Sequence, residues 1–555
     1  MRRLIAIGAA ALLTAAVAAC SSSASSSSGS TASSAKGPSG TLVISDSQGT
    51  QWNCSFNPFN PGNLATGVTF GQVYEPLVFV NTLQNAKVTP WLATAWAWSN
   101  NNKILTFTIH NGVTFSDGTP MTAADVAYTF NLMKLHSALD VNSVWSVLQS
   151  VTQSGANQVV FTFKAPSVPY FYYIGDQTPI VPEHIWSKIA NPVTYADSNP
   201  VGTGAFMVQP CTAQNITYVA NPHYWQPGEP KIAKVLYPAF TSNTPANTYL
   251  ATGQAQWGAQ FIPNIQNVYA SKSPNNHYWF APIANVSLIP NLTVPGLNNV
   301  AVRQAMAYAI DRNKVSQIGE YGEEPPANQS AIVNSFSGWM NPQAAGQYTY
   351  NPAKAVQILT AAGYTKGSDG IFAKGGQKLS FTVINQGGYS DWVAAMSVIQ
   401  SDLKAVGIQI TPQNLANNDF LARLYAGSYQ LAYNNNTGGP TPYYEFRQWL
   451  YSANSAPIGK NASTNWERYS NPATDALLNA YATTTDPATQ HHIVDQLQQV
   501  MLSQVPFIPM TQEVAWYQYN TGSFTGWVTA SDPYALPGQY LGPDAGQVLL
   551  HLAPK

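Results

Sequence analysis

From Leu105 to Asn131 the chain reads LTFTIHNGVTFSDGTPMTAADVAYTFN. Leu105, Phe107 and Ile109 alternate with threonines, the period of a half-buried strand. Asn111-Gly112 supplies a hairpin turn, and Val113 to Phe115 is expected to return along the first strand. Asp117-Gly118 reads as a second turn. Thr122-Ala123-Ala124-Asp125 has the form of a capping box, in which hydroxyl and carboxylate each satisfy an orphan backbone donor. The helix it starts is expected to run to about His136.

The same alternation of strand and helix spreads outward from this stretch. Thr41 to Ser45 and Val159 to Phe163 are β-prone. Val302, Ala305, Met306, Ala309 and Ile310 fall on one helical stripe, the spacing of a core-facing helix. Asn351-Pro352 starts a helix with a cap and an N-terminal proline, and Gly363 ends it. Ser390 to Val406 repeats that logic with Gly407 as the stop, and Asn471-Pro472 opens another helix. Leu379 to Ile384 and Gly407 to Thr411 read as strands. The order from Val300 to Thr411 is therefore helix, helix, strand, helix, strand, which argues for an α/β lobe. The first third is richer in strands and turns, and no internal repeat of fixed period is visible.

The amino terminus reads as an address. Arg2 and Arg3 are basic, Leu4 to Val17 is almost entirely apolar, and Val17-Ala18-Ala19-Cys20 closes the segment with small residues. That is the layout of an export signal. Its last four residues resemble the bacterial lipobox, whose cysteine becomes the lipid-bearing first residue of the mature chain. Ser21 to Gly40 is nearly all Ser, Ala, Thr and Gly, and reads as a disordered spacer between lipid and folded body. No other segment reaches the length of apolar run a membrane helix needs.

Of the 555 residues only 9% are charged, while 12% are aromatic. Without Arg2 and Arg3, the 24 basic residues fall to 22 against 25 acidic, a net charge of −3. There is no basic run to bind phosphates, so nucleic acid is not expected as a partner. The neutral, Trp-rich composition suits an uncharged or zwitterionic solute held by stacking and hydrogen bonds. With Cys20 assigned to lipid, Cys54 and Cys211 remain. An oxidising location permits them to pair, and two buried free thiols are the alternative. No C-x-x-C is present.

Several segments together carry a resemblance. They are Val73-Tyr74-Glu75-Pro76-Leu77-Val78, Leu105 to Asn131, Ile180 to Trp186, Pro200 to Phe206, Asn221-Pro222-His223-Tyr224-Trp225, Val302 to Arg312, Ala361-Ala362-Gly363-Tyr364 and Trp466 to Asp475. In this order they resemble the extracytoplasmic solute-binding proteins of ABC importers, family 5, the peptide/nickel/oligosaccharide-binding class. The resemblance implies an α/β, two-lobed periplasmic-binding-protein-like fold with a hinge. Lobe I would comprise residues 41–287 and 512–555, with an extra subdomain at about 78–195, and lobe II residues 288–511. Most matching motifs read as structural: Asp117-Gly118 as a turn, Asp125 as a cap, and Gly202 and Gly204 as positions tolerating unusual dihedrals.

In peptide-binding members a cleft aspartate before a proline pairs with the peptide's amino terminus. The corresponding stretch here runs from Ala432 to Pro440, through Tyr433, and places Asn436 at the aspartate position. An amide cannot supply that charge. The stretch where some dipeptide binders carry an arginine, Asn385 to Tyr389, has no basic residue. Trp257 to Pro263 (WGAQFIP) looks like segments of cello-oligosaccharide-binding members. Trp52, Trp257 and Trp392 are candidates to stack on a ligand, with core packing as the alternative for each. Trp52 and Asn53 lie in a loop, Gln51 to Asn60, that faces the cleft in the family.

Enzymatic signatures are missing. There is no G-x-S-x-G elbow and no H-E-x-x-H. Glu323-Glu324 stands before two prolines, which reads as a loop, and a glycosidase would need two carboxylates facing across a cleft. His491 and His492 point to different helix faces, so they read as solvated and not as a metal site. The reading is a lipid-anchored, monomeric receptor, not an enzyme, with no cofactor and no metal. It would deliver an oligopeptide to an ABC permease and its ATPase. A neutral oligosaccharide is the alternative ligand, and a secreted glycoside hydrolase a more distant one.

Overall fold

A computed structural model describes residues 37–45, 51–60, 64–84, 86–435, 438–462 and 464–555. Cys20, the rest of the signal segment and most of the Ser-rich stretch lie outside the described residues, as does Asn436. The first strand is Ser39–Ser45, not Thr41–Ser45. Ser39 pairs with Ile232 and its N–H donates to the Lys231 carbonyl. Backbone pairing thus extends the strand past its apolar residues and takes Ser39 and Gly40 out of the expected spacer.

Three larger sheets carry the architecture. A seven-stranded sheet has the order Asn276–Tyr278, Gln518–Asn520, Trp257–Gly258, Ser39–Ser45, Ile232–Pro238, Asn215–Ala220, Phe206–Val208. A five-stranded sheet has the order Gln409–Leu415, Ser380–Gln386, Leu431–Asn435, Ala281–Pro290, Ile508–Ala515. Its strand Ser380–Gln386 runs parallel to both neighbours, as the helix–strand alternation requires. The chain passes between these two sheets at Trp279–Phe280 and again at Trp516–Tyr517. The boundaries expected at 287 and 511 fall inside paired strands of the five-stranded sheet.

The third sheet, Ala93–Ser99, Ile104–Ile109, Gln158–Phe163 and Leu148–Ser154, contains the stretch quoted first. Leu105, Phe107 and Ile109 are buried, as their alternation demands. The expected hairpin back from Asn111-Gly112 does not form. Strand Ile104–Ile109 already pairs on one edge with Ala93–Ser99 and on the other with Gln158–Phe163, so no edge is left. Val113 and Phe115 instead close on the next turn, through Met121 N to Val113 O and Phe115 N to Thr119 O. The helix is Ala123–Leu135, and both halves of the capping box are present.

The helices at Val300–Ala309, Pro352–Ala361, Ser390–Ala405 and Pro472–Thr483 begin and end close to their sequence signals. Asn299, Asn351 and Asn471 each cap through the side chain. Gly363 and Gly407 take positive φ, as stops should. Gly202 and Gly204 do not. A Cβ there would lie 1.9 Å from the Val73 carbonyl oxygen and 2.2 Å from that of Gln72. Glycine is required by close backbone approach, not by dihedral freedom. Cys54 and Cys211 are bonded, closing a sequence separation of 157 residues. Among the described residues no helix is long and apolar enough to cross a membrane.

Candidate ligand-binding site

A cavity of about 980 Å³ opens where the elements of the two large sheets meet. Its walls come from all parts of the chain: Tyr172 and Tyr173, the 259–261 segment, the crossover residues Pro282, Ile283 and Trp516, and the ends of the strands after Gln386 and Asn434. The lining combines aromatic rings with uncharged amides, the make-up of a site that stacks and hydrogen-bonds its ligand.

Two kinds of charge sit in that wall. Arg447 comes from helix Pro442–Leu450, which Pro442 starts and whose nine residues are all buried. The side chain is 2% exposed and lines the cavity. Its guanidinium carbon lies 4.9 Å from the ring centres of Tyr170 and Tyr173 and 5.3 Å from that of Tyr451. Nε and Nη2 donate to Tyr170 Oη, and Nη2 also to Asn142 O. Among the described residues no carboxylate pairs with it and Nη1 makes no hydrogen bond. Its direct contacts are cation–π faces and neutral acceptors, while the charge of Asp140, whose carboxylate accepts from Val144 N and Trp145 N, acts on it without an ion pair.

The acids are Asp391, in the first turn of helix Ser390–Ala405, and Glu513, on strand Ile508–Ala515. Burial pushes Asp391 up to about 7, against hydrogen bonds that include Asn243 Nδ2 to Oδ1 at 3.1 Å. Burial, and then the negative charge of Asp391, push Glu513 up to about 8. Asp544, also in the wall, is pushed up to about 7 by burial. Among the described residues no group of three or more His, Cys, Asp or Glu is arranged to hold a metal ion.

The expected site residues divide. Trp392 lines the cavity, edge-on to Tyr389 and Tyr433. Tyr433 is buried behind Trp392 and does not line it, whereas Asn434 and Asn435, the last two residues of strand Leu431–Asn435, both do. Trp257 does not line it either. Its ring packs edge-on to Tyr517 and Trp527 and its Nε1 donates to Pro537 O, while Ala259, Gln260 and Phe261 of the same segment do line the cavity. Trp52 and Asn53 are absent from the wall: Trp52 is buried against Tyr237 and donates to its carbonyl, and Asn53 is exposed, in a loop stapled through Cys54.

Arg447, Glu513, Trp339 and Trp516 escaped the sequence reading. The available signal for Arg447 was a charged residue in an aromatic-rich helix, PYYEFRQWL, one residue after the Gly438-Gly439-Pro440 turn. Trp339 is half-buried on the rim, its ring stacked at 3.8 Å and 3° on His491. His491 is therefore a ring support, not a purely solvated residue.

Known proteins share this architecture. The *Thermotoga maritima* periplasmic oligopeptide-binding protein of an oligopeptide ABC transporter, solved with mannohexaose bound, superposes with a TM-score of 0.86 at 27% identity, over 93% of this chain and 98% of that one. Protein XP55 of *Streptomyces lividans* is 28% identical over 417 residues, 73% of this chain and 72% of its own. The nickel-binding periplasmic protein of *Escherichia coli* K12 is 26% identical over 411 residues, 70% of this chain and 75% of its own. The model of the bacterial extracellular solute-binding proteins, family 5 Middle, matches residues 87–457. With its α/β, two-lobed fold, this chain belongs to the bacterial extracellular solute-binding proteins, family 5.

Proposed function

We propose that this chain is the lipid-anchored capture protein of an ABC importer. It takes a short oligopeptide outside the cytoplasmic membrane and hands it, chemically unchanged, to a permease and its ATPase. The observation that carries the ligand class is Arg447, a buried guanidinium on the cavity wall that makes no ion pair among the described residues. A peptide carboxylate supplies what it lacks, and the amides of the wall suit a peptide backbone. The lobes divide at the crossovers Trp279–Phe280 and Trp516–Tyr517, and ligand shifts an open population toward a closed one. Cys20 carries the lipid and the protein acts as a monomer.

A neutral oligosaccharide is the second reading. Half-buried Trp339 and Phe336 on the rim favour it, as does the mannohexaose bound to the *T. maritima* relative. A thermal-shift screen over di- to hexapeptides and cello-, xylo- and manno-oligosaccharides separates the two, because a tight ligand raises the melting temperature by mass action. Peptides are expected to raise it. A rise with sugars alone replaces the first reading by the second, and hydrolysis of any ligand that copurifies with the protein refutes both.

A further inference from the structure

Trp52 and Asn53 are absent from the wall of the ligand cavity, but the other end of their loop closes on a second cavity. Pro58 and Phe59 line a space of about 230 Å³ together with Phe70, Met133, Leu139 and Pro179. Val141, Asn142 and Gln177 line both cavities, as do Tyr540 and Gly542. The small cavity therefore adjoins the large one along a shared edge.

Its interior is apolar. No charged side chain is among the described residues that line it. Thr178 and Gln177 are already bonded: Thr178 Oγ1 donates to Tyr173 O and Gln177 Nε2 to Asp176 Oδ2, each at 2.7 Å. Such a space favours an apolar occupant and penalises a charged one.

The walls are held in place by contacts outside the chamber. Phe59 lies edge-on to Trp186, ring centres 5.6 Å apart, in the loop stapled by Cys54 and Cys211. Met133 belongs to helix Ala123–Leu135 and is 2% exposed; a methionine adapts to groups of differing shape. The Asp140 carboxylate accepts from Val144 N at 2.8 Å and from Trp145 N at 2.9 Å. That pins the segment carrying Leu139, Val141 and Asn142.

The position of the chamber selects its occupant. Asn142 O accepts from Arg447 Nη2 at 3.0 Å, so the shared edge lies beside the guanidinium. A carboxylate held by Arg447 brings the last residue of a peptide to that edge, and the side chain of that residue branches from the carbon next to the carboxyl group. We infer that the chamber receives the side chain of the peptide's carboxyl-terminal residue, and that the protein selects peptides ending in a large apolar residue. This rests on the peptide reading and adds a rule of selection to it. An apolar cavity of roughly 150 Å³ holds benzene, so the chamber has room for a leucine or phenylalanine side chain. Burial of either is favourable in proportion to its apolar area. Alanine leaves the chamber unfilled, and an aspartate side chain meets no cation in it.

Calorimetric titration of the mature protein with tripeptides tests this. The probes are Ala-Ala-Ala, Ala-Ala-Leu, Ala-Ala-Phe, Ala-Ala-Asp and Phe-Ala-Ala. Leucine or phenylalanine in the last position should tighten binding about tenfold or more over Ala-Ala-Ala. Ala-Ala-Asp should bind no better than Ala-Ala-Ala, and Phe-Ala-Ala should stay within about threefold of it. Met133→Trp fills the chamber and should bring Ala-Ala-Phe and Ala-Ala-Ala within about twofold of each other; should that variant misfold, the series on the unaltered protein decides alone. Equal affinities across the series, or an equal gain from phenylalanine at either end, overturn the chamber's role and leave the peptide reading standing. Failure of every peptide to bind overturns both.

Discussion

Replacing Arg447 by glutamine tests how the cleft holds its ligand. The substitution keeps a long polar side chain but removes the charge and the unused Nη1 donor. A hydrogen bond from a charged donor contributes about 1.5 to 3 kcal/mol, so a peptide with a free carboxyl terminus should lose roughly ten- to 150-fold in affinity. The variant also loses the contacts to Tyr170, Tyr173 and Tyr451, which lowers stability whatever the ligand. The informative measurement is therefore a cycle. Both proteins are titrated with one peptide as its free acid and as its carboxyl-terminal amide, and the interaction energy is the difference of differences. The expected result is a large loss for the acid on substitution of Arg447 that nearly vanishes for the amide. Equal losses for the two ligands would show that Arg447 only packs the wall, and would refute its assignment as the carboxylate anchor.

Three other outcomes are expected. Cys54→Ser with Cys211→Ser frees a loop closure spanning 157 residues, which is worth about 5 kcal/mol in the chain-entropy model; the melting temperature should fall by roughly 4 to 5 °C for a folded unit of this size, and an unchanged transition would contradict it. Glu75, Asp197 and Glu445 are pushed up by burial to about 7, about 6 and about 8. Their folded-state values exceed the unfolded ones, so the stabilisation is complete near pH 4 and is lost as pH rises to about 8. For Glu75 alone that is roughly 3 kcal/mol, and urea midpoints that rise from pH 5 to pH 8 would oppose it. Cys20→Ala should release the protein from membranes into the soluble fraction, and retention that still needs detergent would argue against the lipid anchor.

Local elements were legible because their causes are local. The capping box at Thr122 and Asp125 acts across three positions, and the alternation of Leu105, Phe107 and Ile109 buries one face of one strand. The asparagine caps at 299, 351 and 471 work in the same way. The hairpin at Asn111-Gly112 failed because the turn was right and the strand's two edges were taken by segments the turn cannot sense. Resemblance carried the two-lobed fold, since its motifs keep their order along the whole chain.

The cleft wall obeys another rule. Arg447 is held by Asn142, a partner 305 positions away, and Trp52 is drawn inward by Tyr237, 185 positions away. No window of sequence contains either pair. A tryptophan or arginine has the same local propensity in a core as in a binding wall. Which of the two it occupies depends on which distant surfaces close around it, and that choice belongs to the packed chain.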